Sequence, residues 1–310
     1  MKMSQPLRID YPEGMSSFIT RRFRNSQLCY ANNKKLQKRV LGSLGKYLHK
    51  YGAEIYAYTM FGSHDHPMIE FAPKTKSSFF KDFGARTAEA VKKNVPSFGT
   101  GPVMESRPRE QAITEDSESH LDRLMYTVMQ PILAGLCKNL SDYPGFNSWQ
   151  YIISGKPLHV EFFKGSEFRR AKRRNPNADP AKYTEQYQII FKRLSGYEDM
   201  SQSEYRNMLL NEYERRRKEI IEEFEEKGHI WPSVESLRRT KSTETARNPK
   251  RSGRYSKRPL VLSLCMERKQ AFLDYYFSIL EKFKKASTAY MLGDRTVKFP
   301  EGTCAPPVIC

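Results

Sequence analysis

The chain has 310 residues, a formal net charge of +18 and 38% hydrophobic residues. That length fits one large domain or two ordinary ones, and the low apolar share puts much charge on the surface. No apolar run approaches the roughly 20 residues of a spanning helix, which excludes an integral helical membrane protein. The excess of Lys and Arg points to nucleic acid, because phosphate neutralisation dominates such affinity; an anionic membrane surface is the alternative. Met1-Lys2-Met3-Ser4-Gln5 lacks the apolar stretch of a signal peptide, so a cytoplasmic protein is expected. Cys29, Cys137, Cys265, Cys304 and Cys310 are scattered and odd in number, with no CxxC. That spacing predicts reduced thiols and argues against a structural zinc site.

Residues 18–23 alternate and are rich in strand formers, giving a first strand. Asn32-Asn33 can cap a helix whose apolar stripe is Leu36, Val40, Leu44, Tyr47, Leu48 and Tyr51, ended by Gly52. A strand over 54–60, a turn at Gly62-Ser63 and a strand over 64–71 follow. Residues 77–94 read as a helix with Phe80, Phe83, Thr87 and Val91 on one side. Gly99-Thr100-Gly101-Pro102 breaks the chain, and 118–138 reads as helical with Pro131 inside it. This order predicts an α+β domain over 1–153, a sheet with helices on one face.

Residues 154–310 are expected to form a mostly helical, basic region. The charges in 203–227 change sign along the chain, the mark of a solvated helix face. Residues 238–257 carry many cations and few apolar groups, as a flexible basic linker or arm would. Residues 268–291 form an amphipathic pattern whose Phe and Tyr read as core.

The most informative feature is His64-Asp65-His66. Imidazoles two apart on a strand share a face and can grip one divalent ion. With this pair stand two further blocks, Tyr126-Thr127-Val128-Met129-Gln130-Pro131-Ile132-Leu133-Ala134-Gly135-Leu136 and Asp142-Tyr143-Pro144-Gly145-Phe146-Asn147-Ser148. Strand, helix, strand, histidine pair and these blocks, in this order over about residues 15–150, resemble the HUH single-tyrosine transposases. The REP-associated tyrosine transposases are the most similar group among them. The resemblance implies a ferredoxin-like HUH domain with an antiparallel sheet and single-stranded or hairpin DNA as partner. It also implies Mg²⁺ or Mn²⁺ held by His64, His66 and one polar side chain on the nucleophile helix. A tyrosine would attack the scissile phosphate and become a covalent 5′-phosphotyrosine.

Three departures stand out. Asp65 occupies a middle position that is usually large and hydrophobic. Pro67 cannot donate to a ladder, so this strand is expected to be bulged, at an edge or short. Pro108 stands where the family places its tyrosine and would open the local helix rather than continue it. Tyr126 and Ser106 are the alternative hydroxyls. Gln111 is the candidate third metal ligand, with Glu110 beside it, and Ala112 lies one turn beyond Pro108. The candidate DNA contacts are Arg21, Arg22, Arg107, Arg109, Lys172, Arg173, Arg174, Arg238, Arg239, Lys250, Arg251 and Arg254. The expected function is a transposase-family DNA-binding protein. The alternatives are a catalytically inactive, regulatory DNA-binding derivative and a nuclease using metal-activated water. The assembly allows a homodimer.

Overall fold

Local signals place the first elements. In the computed structural model, which describes residues 6–247 and 258–306, β1 (Ser16–Arg22) leads through a short 3-10 turn to α1 (Lys34–Tyr51). The Asn33 side chain caps α1 by accepting from Leu36 N at 3.1 Å. Gly52 ends it at φ 57°, a left-handed conformation glycine adopts without steric cost. β2 (Glu54–Met60) and β3 (His64–Glu70) form a hairpin, α2 (Lys76–Asn94) follows, and β4 (Arg109–Ile113) pairs with β1. The strand order β2-β3-β1-β4, with every neighbour antiparallel, is the ferredoxin-like arrangement of a βαββαβ chain. The fold is α+β.

Both faces of this sheet are covered, where the sequence predicts helices on one. Leu36, Val40 and Leu44 of α1 and Phe79 and Phe83 of α2 pack under Ile19, Ile55 and Ile69. α3 (Ser117–Val128) covers the opposite face, with Leu124, Met125 and Val128 against Phe18, Tyr56, Met68 and Ile113. β2 and β3 are accordingly buried almost continuously rather than alternately. The helical run expected to reach Lys138 breaks at Met129, and α4 (Gln130–Leu133) restarts with Pro131 in its first turn. A proline there removes an i→i−4 bond and clashes with the preceding turn.

The second half is less purely helical than its composition suggests. α5 (Trp149–Ser154) spans the expected boundary at residue 153. Beyond it, β5 (Leu158–Phe163), α6 (Gly165–Arg174) and β6 (Thr184–Ile189) form a hairpin with a helical insertion. The hairpin lies directly on α1. A Cβ added at Gly42 would stand 1.9 Å from the Glu161 carbonyl oxygen, so only glycine allows this approach. α7 (Gln202–Glu226) buries Tyr205, Leu209 and Tyr213, the last against Trp149 at 5.1 Å between rings. Its charged side is laced by ion pairs such as Arg216–Asp122 at 2.9 Å. α8 (Val234–Arg239) precedes a segment that is docked rather than free. Leu28 N donates to Glu244 O at 2.7 Å and Ala246 N to Ser26 O at 3.1 Å. β7 (Leu260–Leu262) adds parallel to β4, making a mixed five-stranded sheet. α9 (Met266–Met291) buries Phe272, Tyr276 and Phe283 as core. Among the described residues, no helix is long and apolar enough to cross a membrane.

β3 accommodates both Pro67 and Asp65. Pro67 sits inside the strand opposite Tyr58, and β3 lies between β2 and β1 rather than at an edge. The irregularity falls on the partner strand, between Ile55 and Ala57. Asp65 is fully buried but doubly paired. Arg21 Nε donates to Oδ1 at 2.7 Å and Nη2 to Oδ2 at 2.6 Å. Tyr30 Oη adds a third bond at 2.7 Å. The guanidinium lies 3.8 Å over the Phe83 ring.

Breaking a buried pair leaves an uncompensated charge, whereas replacing both partners with apolar groups is often near neutral. Asp65→Ala is therefore expected to lower unfolding stability by about 3–5 kcal/mol. The double change Asp65→Leu with Arg21→Met should recover most of that loss. Urea titration of the three proteins checks both outcomes.

Candidate functional site

Alternation along β3 sends Asp65 to the α1–α2 side and both histidines to the α3 side. The imidazole centroids lie 4.7 Å apart with the planes at 87°. Each Nδ1 meets a hydroxyl, Ser63 Oγ at 3.0 Å from His64 and Thr20 Oγ1 at 3.2 Å from His66. Those contacts orient the rings and leave Nε2 of each as the nitrogen for a ligand, much as outer hydrogen bonds fix metal-binding histidines. Burial pushes the His66 pKa down to about 4. Burial also holds His64 well below its ordinary value, with the His66 and Arg22 charges adding to the effect. Both rings are neutral at pH 7, the state in which imidazole binds metal.

The neighbours of the pair come from β1 and α3. Phe18 stacks on His66 at 5.1 Å and 12°, and Tyr126 meets Phe18 edge-on at 5.6 Å. The Arg123 guanidinium lies 4.8 Å over Phe18 and 4.5 Å over Tyr126. Its Nε is buried without a hydrogen-bond partner. The end of α3 is tied to the sheet here. Thr59, opposite His66, donates to Thr127 O at 2.9 Å, and Asn147 donates to Val128 O at 2.7 Å. Tyr126 stays 39% exposed on this helix. One turn on, Gln130 Nε2 donates to Tyr126 O at 3.2 Å, which leaves its amide oxygen as an acceptor.

The structure separates other expected site residues from the pair. Gln111 is in strand β4, not on a helix, and pairs with Phe18 of β1. Two strand spacings, about 10 Å, lie between β4 and β3, with Phe18 between Gln111 and the histidines. Glu110 points to the opposite face, bonded to Ser17 at 2.6 Å and Lys76 at 2.7 Å. Pro108 leads into the same strand, so the nucleophile helix expected there does not form. Arg21 is a correction too: at 2% exposure and paired with Asp65 it is structural, not a phosphate contact. Arg109 pairs with Thr20 and shares the histidine face. Arg22, opposite His64, lies 4.0 Å from Glu105. Arg107, Lys172, Arg173 and Arg174 are exposed, as are Arg238 and Arg239 at the end of α8 or near it. Lys250, Arg251 and Arg254 lie outside the described residues.

A divalent ion fits the donor chemistry of the two Nε2 atoms. Among the described residues, no group of three or more His, Cys, Asp and Glu converges to hold a metal. Arg123 and Gln130 escape a linear reading of the sequence; the 123–126 spacing, one helical turn, is the signal that ties Arg123 to Tyr126. Cys29 and Cys137 are buried, which pushes each thiol up to about 12 and makes it a poor nucleophile.

No family model and no curated protein matches the sequence. A solved structure described as a REP-associated tyrosine transposase bound to a REP hairpin is similar at 20% identity, with a TM-score of 0.39. The match covers 50% of this chain and 86% of that one. At that score the likeness assigns nothing to this chain.

The neutral rings carry a pH signature. Between the ordinary imidazole value of 6.5 and about 4, the unfolded chain binds a proton at His66 that the folded chain does not. Stability is complete above pH 6.5 and falls as the pH drops toward 4, by up to about 1.4 kcal/mol per pH unit for each such ring. In metal-free protein, His66→Gln should flatten that decline. Denaturant midpoints measured from pH 7 to pH 4.5 check it.

Proposed function

We propose that the chain binds single-stranded or hairpin DNA across the α3 face of the sheet and nicks it there in transposase fashion, with Tyr126 as the nucleophile. One observation carries this reading: two neutral imidazoles share a face with an exposed phenol on the adjoining helix, joined through Phe18. The net charge of +18 supports a polyanion as the substrate.

His64 Nε2, His66 Nε2 and the Gln130 amide oxygen would hold Mg²⁺ or Mn²⁺. Such an ion supplies Lewis acidity to a non-bridging oxygen of the scissile phosphate. Ser63 and Thr20 keep the two rings in place. Arg123, whose guanidinium lies over the Phe18 and Tyr126 rings, would offset the charge that builds on the phosphate. The Tyr126 oxygen forms a bond to phosphorus while the bond to the 3′ oxygen breaks. The phenolic proton ends on the released 3′ hydroxyl, and the 5′ phosphate stays on the protein. Attack by a second 3′ hydroxyl reverses the step and joins strands without loss of phosphoester energy.

A labelled hairpin oligonucleotide incubated with Mn²⁺ should give a denaturation-resistant adduct. Tyr126→Phe should abolish it, and His66→Ala should lower it by at least about two orders of magnitude. An adduct that survives Tyr126→Phe places the nucleophile elsewhere. Oligonucleotide binding with no adduct at all returns the chain to the non-catalytic reading.

A further inference from the structure

Away from the histidine face, α1, α2 and the β5–β6 hairpin enclose a cleft of about 1320 Å³. We infer that this cleft is a second nucleic-acid subsite, which holds the single strand running on from the histidine site. The inference rests on the DNA-binding reading above and adds the path of the strand.

Three features of the cleft carry it. Lysines and arginines line it against two carboxylates, Glu89 and Glu161. Glu89 is engaged by Arg86 at 2.6 Å, and Glu161 accepts from Gln186 at 3.0 Å. Among the described residues, no carboxylate lies within ion-pair distance of Lys35, Lys38, Arg39 or Lys93. A row of cations from α1 and α2 that outnumbers the carboxylates beside it suits a phosphate backbone. The repulsion is felt locally: burial first, then the charges of Arg39 and Arg169, lower the pKa of Lys93.

Aromatic groups supply the second feature. Tyr143, Phe146 and Tyr151 line one wall and are half-buried. Grooves that combine a basic track with such rings bind single strands with little sequence preference.

Continuity with the histidine site is the third. Phe61 lies 5.0 Å from His64 and stacks on Tyr143 at 6.0 Å and 21°. Tyr143 is fixed there by its hydroxyl, which donates to Met60 O at 2.7 Å. The ring path from His64 therefore opens into the cleft. On its other side, Lys34 and Lys35 also border Arg238, Arg239 and Lys241, so the basic track continues toward α8. The far wall is the hairpin seated on Gly42, a part of the chain beyond the region that resembles transposases.

The test is binding in EDTA, where no cleavage intervenes, with fluorescein-labelled single strands of 8 and 20 nucleotides and with polyglutamate as a competitor. Lys35→Glu with Lys93→Glu changes two exposed side chains and none at the histidine face. The double variant should bind the 20-mer about tenfold more weakly than the unchanged chain, and the 8-mer nearly as well. Its log–log salt slope should fall by about 1.4, the loss of two phosphate contacts on a single strand. A 20-mer carrying 5-iodouracil should crosslink to peptides that include Tyr143 or Tyr151. Equal affinity and slope for the variant, with DNA binding intact, overturns the cleft and leaves the histidine site standing. Polyglutamate binding with no binding of either oligonucleotide overturns both and makes the cleft an acidic-peptide site.

Discussion

The Asp65–Arg21 pair under β3 is the constraint on which the site depends. A strand that shows two histidines on one face must put the residue between them on the other. Here that residue is a carboxylate in a core. Its charge is tolerable because Arg21 meets it through two bonds of 2.7 and 2.6 Å, Tyr30 adds a third, and Phe83 covers the guanidinium. Arg21 belongs to β1, so the pair also pins the β1–β3 register, Arg21 opposite Asp65. A slip of one residue would turn the imidazoles into the core and the ion pair toward α3. The same register puts Thr20 at His66 and Phe18 one step on, which sets the ring stack leading to Tyr126.

Covering both faces of the sheet is what makes the histidines neutral. α3 removes water from the rings, and its last turn brings a phenol and an arginine over the same ground. The helix is held by backbone acceptors, Thr127 O and Val128 O, that are free because the helix ends there. The break at Met129 is therefore structural. It frees the carbonyls that anchor the helix and starts α4 with Gln130 beside Tyr126. The second half of the chain completes the molecule around this centre. β7 extends the sheet, the β5–β6 hairpin walls a cleft, and α7 braces α5.

Much of this was legible from residues whose signals are local. Asn33 and Gly52 bound α1, and the 54–60 and 64–71 runs flank a Gly62-Ser63 turn as a hairpin should. The histidine spacing gave the shared face. What was not legible depends on pairing across distance. Arg21 looks like a surface cation until Asp65, 44 residues on, is placed beside it. The resemblance implies a helix after Pro108, but β1 offers Arg109–Ile113 an open edge and it becomes a strand. That assignment carried Gln111 and Glu110 with it as ligands. Tyr126 was visible as a hydroxyl but not as a neighbour of the pair, because nothing in its own segment says which face of the sheet α3 will cover. The basic stretch after Arg239 looked like a loose arm, yet its first residues bond along Ser26–Leu28 in the loop after β1.

The central claim is that His64 and His66 act together on one ion beside Tyr126. Anomalous diffraction from crystals of the Tyr126→Phe protein, grown with Mn²⁺ and a hairpin oligonucleotide, tests it most directly. The account predicts one strong manganese peak within bonding distance of both Nε2 atoms, with a phosphate oxygen on the ion and residue 126 facing the phosphorus. Manganese bound elsewhere, or a phosphate seated away from α3, would contradict it.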